Sequence, residues 1–211
     1  MSHLSIDEFR AALLVRPLEA LVREYIFQGL AYAFRQKPES MEILHRHLFR
    51  TLNLSQRNVI VVGSAKLGFS LSPDTFPRQF SEESDIDVLV VDESLFDRLW
   101  LTLLKWQYPR RLVQLGRPDA EWASCRRKEV YWGWLTPDRI RFEGLSFPDE
   151  LRPLRDISTR WFNAFRSLSE YREFAARNVT GRLYRTWHHA FLYHVEGLRQ
   201  IREKCRRTEG E

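Results

Sequence analysis

The 211-residue chain is 44% hydrophobic and 29% charged, and it contains 14 phenylalanines and 7 tryptophans. This apolar content excludes intrinsic disorder and indicates a core large enough for a folded domain. The 33 lysines and arginines outnumber the 28 acidic residues, and the resulting net charge of +5 favours phosphate-rich partners such as nucleotides or nucleic acid.

The cysteines and the apolar runs exclude further classes. Cys125 and Cys205 stand apart from each other and from any Cys/His cluster, which argues against a disulfide framework and against structural zinc. No apolar run approaches the length of a membrane-spanning helix, and the N-terminus lacks the basic-then-apolar layout of a signal peptide. We therefore expect a cytoplasmic protein without membrane contact. The sequence does not indicate its oligomeric state.

The first third of the chain shows helical spacing of its apolar residues. This spacing predicts helices over residues 7–14 and 18–34, and a third helix that begins after Pro38. We expect these helices to support the core and not to form a site.

The central part of the chain changes to β-rich segments. Residues 58–63 (NVIVVG) and 85–91 (DIDVLVV) predict two buried strands, and the polar segment between them predicts a loop. A helix is predicted over residues 94–106, and further strands over residues 130–135 and 140–145. From Pro153 onward the apolar spacing is helical again.

Together these segments predict an α+β fold, a small mixed β-sheet flanked by N-terminal and C-terminal helices. We expect an N-terminal helical segment (1–55), an α/β core (56–150) and a C-terminal helical segment (151–211) that form one compact unit.

The first chemical motif is the end of the first predicted strand, at Gly63-Ser64. Glycine at this position lets the backbone approach a phosphate closely. The N–H groups of a following helical turn point at such an anion, and the helix dipole favours it. The Ser64 hydroxyl adds a donor, and Lys66 is a candidate phosphate contact.

The second motif is Asp85-Ile86-Asp87 at the start of the next predicted strand. Alternate side chains of a strand share a face, so the two carboxylates project together while Ile86 points to the core. Neighbouring carboxylates repel each other unless a cation lies between them, and Mg²⁺ is bound in proteins by carboxylates together with substrate phosphates.

In this order, Gly63-Ser64 followed by Asp85 and Asp87 resembles the DNA polymerase beta-type nucleotidyltransferase superfamily. The resemblance covers about a sixth of the chain. It implies a nucleotidyltransferase-like fold, two Mg²⁺ ions, and transfer of a nucleoside monophosphate from a nucleoside triphosphate, such as ATP, to an acceptor hydroxyl. Matched residue by residue, it implies that Gly63 and Ser64 hold the triphosphate and that Asp85 and Asp87 are catalytic metal ligands.

The resemblance also implies a third catalytic carboxylate on a later strand. Glu143 is our candidate because it alternates with apolar residues, and Glu129 is the second choice. If neither serves, the alternative is a catalytically incomplete protein that acts as a nucleotide-binding or interaction module.

Two arginines near the C-terminus, Arg182 and Arg185, are candidates for nucleotide or acceptor contact, because arginine pairs with phosphates and stacks on bases. The pattern of their region favours a C-terminal helix that packs Leu183 and Trp187 inward and leaves the arginines in water. The expected partners are a nucleoside triphosphate and an acceptor in the form of RNA, a protein or a small molecule.

Overall fold

The computed structural model describes residues 4–110, 117–140, 149–174 and 177–209. These residues form an α+β fold of eight helices and four strands. The strands are β1 (Val59–Val62), β2 (Ile86–Val91), β3 (Trp134–Leu135) and β4 (Val179–Tyr184). The helices are α1 (Ile6–Val15), α2 (Leu18–Leu21, continued by a π turn over Val22–Phe27), α3 (Glu39–Leu52), α4 (Gly63–Leu67), α5 (Glu93–Arg110), α6 (Arg117–Tyr131), α7 (Arg152–Ser169) and α8 (Trp187–Glu209).

The four strands form one mixed sheet in the order β1-β2-β4-β3. The β1 and β2 strands are antiparallel, β2 and β4 are parallel, and β3 is antiparallel to β4. In this register Asp87 lies between Val62 of β1 and Thr180 of β4. The predicted mixed sheet flanked by helices is therefore confirmed at the level of an α+β fold.

Each face of the sheet is covered by its own apolar core. One face presents Val61, Val88 and Leu183 to buried residues of α3, α5 and α7. The opposite face presents Leu89 and Val91 to buried residues of α1, α2 and α8. Because side chains alternate along β2, Asp87 lies on the second face, two residues before Leu89. The apolar side chains that cover this face end before they reach Asp87, which is exposed.

The N-terminal helices begin and end at local signals. At the start of α1, the Ser5 side chain accepts from the N–H of Glu8, and the Glu8 carboxylate accepts from the N–H of Ser5, so that two otherwise unpaired donors are satisfied. The helix predicted over residues 18–34 is too long, because the π turn ends at Phe27 and Gly29 then adopts a φ of +76° that breaks the helix.

The C-terminal third of the chain contains a strand where helix was predicted. Residues 179–184 form β4 in the middle of the sheet, and Leu183 is buried in the core of the sheet, not on a helix. Apolar spacing alone predicted helix here because β4 is short and its pairing with β2 is remote in sequence. The sheet therefore draws strands from both the central and the C-terminal segments.

The strand predicted over residues 130–135 is only partly present. The α6 helix continues through Tyr131, and β3 contains only Trp134 and Leu135. Between them Gly133 has a φ of +72°, which ends the helix and turns the chain into the strand. The predicted strand at residues 140–145 lies outside the described residues from residue 141 onward. Within the described ranges, no helix combines the length and apolar character needed to cross a bilayer.

Close packing of β4 against α7 gives a testable stability effect. A Cβ placed on Gly181 would lie 2.2 Å from the Cζ of Phe165, so we expect Gly181→Ala to lower the free energy of unfolding by about 1–3 kcal/mol. The matched control is Gly197→Ala in α8, where a Cβ meets no atom within 4 Å and where alanine should stabilise by about 0.4–1 kcal/mol. Urea denaturation measures both, and equal effects would contradict the proposed packing.

Candidate active site

The Gly63 turn connects β1 directly to α4 and lies against the start of β2. Gly63 has a φ of +65°, a backbone conformation that side chains disfavour. A Cβ built on Gly63 would lie 2.8 Å from Oδ2 of Asp87. The Asp87 carboxylate therefore faces the backbone of the Gly63-Ser64 turn. The half-buried Ser64 hydroxyl has no hydrogen-bond partner among the described residues.

The two aspartates project from the same face at the start of β2. Asp85 and Asp87 are exposed, whereas Ile86 between them is 1% exposed. On β4, Thr180 donates a hydrogen bond from Oγ1 to Oδ1 of Asp87, with a length of 2.9 Å. This bond fixes one carboxylate oxygen of Asp87, while Oδ2 is directed at Gly63.

The electrostatic environment of Asp87 disfavours its ionised form. Desolvation by the surrounding protein raises the pKa of the Asp87 carboxyl, and the negative charge of Asp85 raises it further. The hydrogen bond from Thr180 and the charge of Arg182 act in the opposite direction and are outweighed. A cation beside both aspartates would relieve this cost.

The donor set fits a hard divalent cation. Carboxylate oxygens are the protein ligands that Mg²⁺ prefers, and it completes its coordination with waters and substrate phosphates. Within the part of the chain that the structure describes, no group of three or more His, Cys, Asp or Glu side chains is arranged to hold a metal ion. Asp85 and Asp87 would therefore be two ligands of such a cation, with water and phosphate oxygens as the others.

On β4, Arg182 follows Thr180 on the face shared with Asp87. Its guanidinium carbon lies 4.8 Å from the ring centroid of Trp134 and 4.8 Å from that of Tyr193. The two rings hold the guanidinium by cation–π contacts. Arg182 thus supplies a fixed positive charge close enough to Asp87 to lower the pKa of its carboxyl.

The structure describes one of the two carboxylates that were predicted as third members of the site. Glu143 lies outside the described residues. Glu129 lies on α6, where Oε2 forms an ion pair of 3.0 Å with Nη1 of Arg126, and burial raises the pKa of the Glu129 carboxyl. On β4, the strand beside β2, the residue that faces Asp87 is Thr180. Its side chain offers a hydroxyl and not a carboxylate.

The other two predicted phosphate contacts have partners inside the protein. Lys66 is 6% exposed, its ammonium group donates to the carbonyl of Gly29, and burial lowers its pKa to about 8. Nε of Arg185 donates to Oδ1 of Asp97 at 2.8 Å. Arg185 follows Thr180 by five residues, which is about 16 Å along a strand, so it lies at the opposite end of the sheet from the aspartates.

Arg177, which was not predicted as a site residue, supports the segment leading to Asp85. Its guanidinium donates to the carbonyl of Ser81 and, at 3.5 Å, to that of Ser84. The same group lies 4.7 Å from the ring centroid of Phe80. Arg177 lies just before β4, and Thr180 lies near its start. A correct prediction of this strand from the sequence would therefore have identified both residues.

If the site binds a magnesium–triphosphate complex, as the sequence predicts, Arg177→Met should weaken that binding about 10–100-fold, the range typical for the loss of a group that supports a metal ligand. Methionine keeps the length of the apolar stem. It removes the donors that hold the turn before Asp85 and the guanidinium that lies over the Phe80 ring. Calorimetric titration measures the affinity. The control is Arg166→Met, whose guanidinium lies 6.0 Å from the Phe162 ring on α7. Equal affinities of the two variants would contradict a supporting role.

Comparisons of this chain with protein-family models, with curated proteins and with solved structures gave no match. Functional conclusions therefore depend on the motif and on the geometry of its residues.

Proposed function

We propose that Gly63, Ser64, Asp85 and Asp87 form a nucleotide site of the nucleotidyltransferase type. In this proposal the site binds a nucleoside triphosphate with Mg²⁺ and transfers the nucleoside monophosphate to an acceptor hydroxyl. The observation that carries it is the approach of the Asp87 carboxylate to the backbone of the Gly63-Ser64 turn. This approach juxtaposes the metal-binding groups and the phosphate-binding groups that the motif predicts.

Each residue has a defined task in this proposal. Backbone N–H groups of the Gly63-Ser64 turn would bind a phosphate, and the Ser64 hydroxyl, which has no partner among the described residues, would donate to it. Asp85 and Asp87 would hold Mg²⁺, which supplies charge neutralisation at the reacting phosphates. Thr180 orients Asp87 through its hydrogen bond. Together these groups position the triphosphate, and positioning with electrostatic stabilisation accounts for most of the catalysis of phosphoryl transfer.

The chemical change is a substitution at the α-phosphorus. The oxygen of the acceptor hydroxyl forms a bond to the α-phosphorus, and the bond from that phosphorus to the bridging oxygen breaks, so pyrophosphate leaves. The hydroxyl proton passes to solvent. The mixed sheet flanked by helices agrees with the fold that the resemblance implies, and a nucleotidyltransferase-like fold is part of the same proposal.

A second candidate function is nucleotide binding without transfer. The observation that favours it is Thr180, because β4 offers Asp87 a hydroxyl where a further carboxylate would provide a proton acceptor. Glu129 does not supply one directly, since its carboxylate is paired with Arg126. In this version the protein would act as a nucleotide sensor or as a partner subunit.

A label-transfer experiment separates the two candidates. The protein is incubated with each ribonucleoside triphosphate labelled at the α-phosphate, with Mg²⁺ and with total cellular RNA or protein. Transfer predicts label fixed to one acceptor class and its loss in Asp87→Asn. Magnesium-dependent binding of a triphosphate without fixed label supports the binding module. Label fixed equally by Asp87→Asn would exclude the proposed site.

A further inference from the structure

Two large aromatic side chains are exposed side by side at the turn between α6 and β3. Tyr131 is 78% exposed and Trp132 is 64% exposed. Their ring centroids lie 5.1 Å apart, with an interplanar angle of 82°. Adjacent exposed aromatic rings are costly in water, and such apolar surface marks interaction sites.

The backbone that carries these rings is firmly held. Trp132 donates through its N–H to the carbonyl of Lys128 at 3.1 Å, and Arg185 donates through its N–H to the carbonyl of Gly133 at 2.9 Å. A Cβ on Gly133 would lie 2.0 Å from Cδ2 of His189, so α8 packs directly beneath the turn. The rings are therefore presented on a fixed support, which reduces the entropy lost on binding.

The last turns of α6 add positive charge beside the two rings. Arg127 and Lys128 are exposed, and no ion pair within the described residues involves either of them. Exposed aromatic rings next to uncompensated cations match the two chemical features of single-stranded nucleic acid, which are stackable bases and phosphates. An acidic protein segment would pair with the cations, whereas a single strand of nucleic acid matches the rings through its unpaired bases and the cations through its phosphates.

We propose that Arg127, Lys128, Tyr131 and Trp132 form a binding surface for single-stranded nucleic acid. Tyr131 and Trp132 stack on unpaired bases, and Arg127 and Lys128 contact the neighbouring phosphates. Stacking accepts either RNA or DNA, and contacts to the 2′-hydroxyl would favour RNA. This surface lies at the end of the sheet marked by Arg185, away from the aspartates, and does not depend on the proposed nucleotide site.

Fluorescence anisotropy with labelled oligouridine, oligothymidine and a duplex of equal length tests the proposal. The titrations contain neither nucleotide nor Mg²⁺, so they are independent of the aspartates. We expect the single strands to bind more tightly than the duplex. We expect the double variant Tyr131→Ala/Trp132→Ala to lose at least about tenfold in affinity, because it removes both rings on which bases would stack.

The charge contribution is tested by varying salt between about 50 and about 200 mM. Arg127→Gln/Lys128→Gln should reduce the slope of log affinity against log salt by about 0.7 per residue. The control Phe49→Ala, which removes an exposed aromatic ring on α3, should keep wild-type affinity. Absence of single-strand binding, tighter duplex binding, or unchanged affinity of the aromatic double variant would each overturn the proposal.

Discussion

Replacing Asp87 with asparagine is expected to lower the affinity for a magnesium-bound triphosphate by more than about 100-fold, beyond the loss that follows removal of a supporting partner. Asparagine keeps the size of the side chain and an acceptor oxygen for the Thr180 hydroxyl. It removes the negative charge that a divalent cation requires. Calorimetric titration with ATP and the other ribonucleoside triphosphates, with and without Mg²⁺, measures the loss.

The same variant should be more stable than the wild type near neutral pH. The folded environment raises the pKa of Asp87 above its unfolded value, so ionisation costs folding free energy as the pH rises from the unfolded pKa to the folded pKa. At neutral pH the carboxyl is ionised, so its ionisation lowers the free energy of unfolding by the full amount. Asp87→Asn removes this destabilisation because asparagine does not ionise. Thermal unfolding should show a higher melting temperature at pH 7 and a smaller difference near pH 3, below the ordinary aspartate pKa of about 3.9. A less stable variant would mean that lost binding reflects damage to the fold.

Replacing Gly63 with alanine is expected to remove triphosphate binding and to destabilise the fold. An alanine at a φ of +65° costs about 1–2 kcal/mol. Its Cβ would also lie 2.8 Å from Oδ2 of Asp87, so the carboxylate must move away from the turn. Denaturant unfolding and nucleotide titration measure the two effects.

Gly29→Ala is the matched control for the backbone cost. Gly29 has a φ of +76°, and a Cβ there meets no atom within 4 Å. Both alanine variants should therefore lose a similar backbone contribution to stability, while only Gly63→Ala loses nucleotide affinity. Loss of affinity in both variants would show that general destabilisation, not the Gly63–Asp87 approach, explains the effect.

The parts of the fold that follow local rules could be predicted from the sequence. The β-branched runs predicted β1 and β2 to within one residue at each end. The alternation of Asp85, Ile86 and Asp87 predicted two exposed carboxylates around a buried apolar residue. The position of Gly63 at a strand end followed from the same run. These features depend on residues that are adjacent in the sequence, so they can be predicted without knowledge of the fold.

The β4 strand could not be predicted because its partner is remote. The register joins Asp87 to Thr180, 93 residues later, and the segment contains a glycine that weakens the strand signal. Gly181 is present because the Phe165 ring occupies the space of a side chain. Without β4, neither the hydrogen bond from Thr180 nor the placement of Arg182 beside Asp87 was foreseeable.

The interaction partners of individual charged residues could not be predicted from the sequence either. Lys66 follows the Gly-Ser turn closely enough to predict a phosphate contact, yet its ammonium group donates to Gly29 on a segment 37 residues earlier. Arg185 lies three residues after Arg182, but the end of β4 separates their environments, and Arg185 pairs with Asp97 of α5. Sequence spacing defines which face of an element a side chain shares and does not define what packs against that face.

The central claim is that Asp85 and Asp87 hold a divalent cation opposite the Gly63-Ser64 turn. Crystals soaked with Mn²⁺ and a non-hydrolysable triphosphate test it most directly, because Mn²⁺ substitutes for Mg²⁺ at oxygen ligands and is located by its anomalous scattering. We predict a manganese peak between the two carboxylates, with triphosphate density against Gly63 and Ser64. Bound triphosphate elsewhere, or a manganese peak that involves neither aspartate, would contradict the claim.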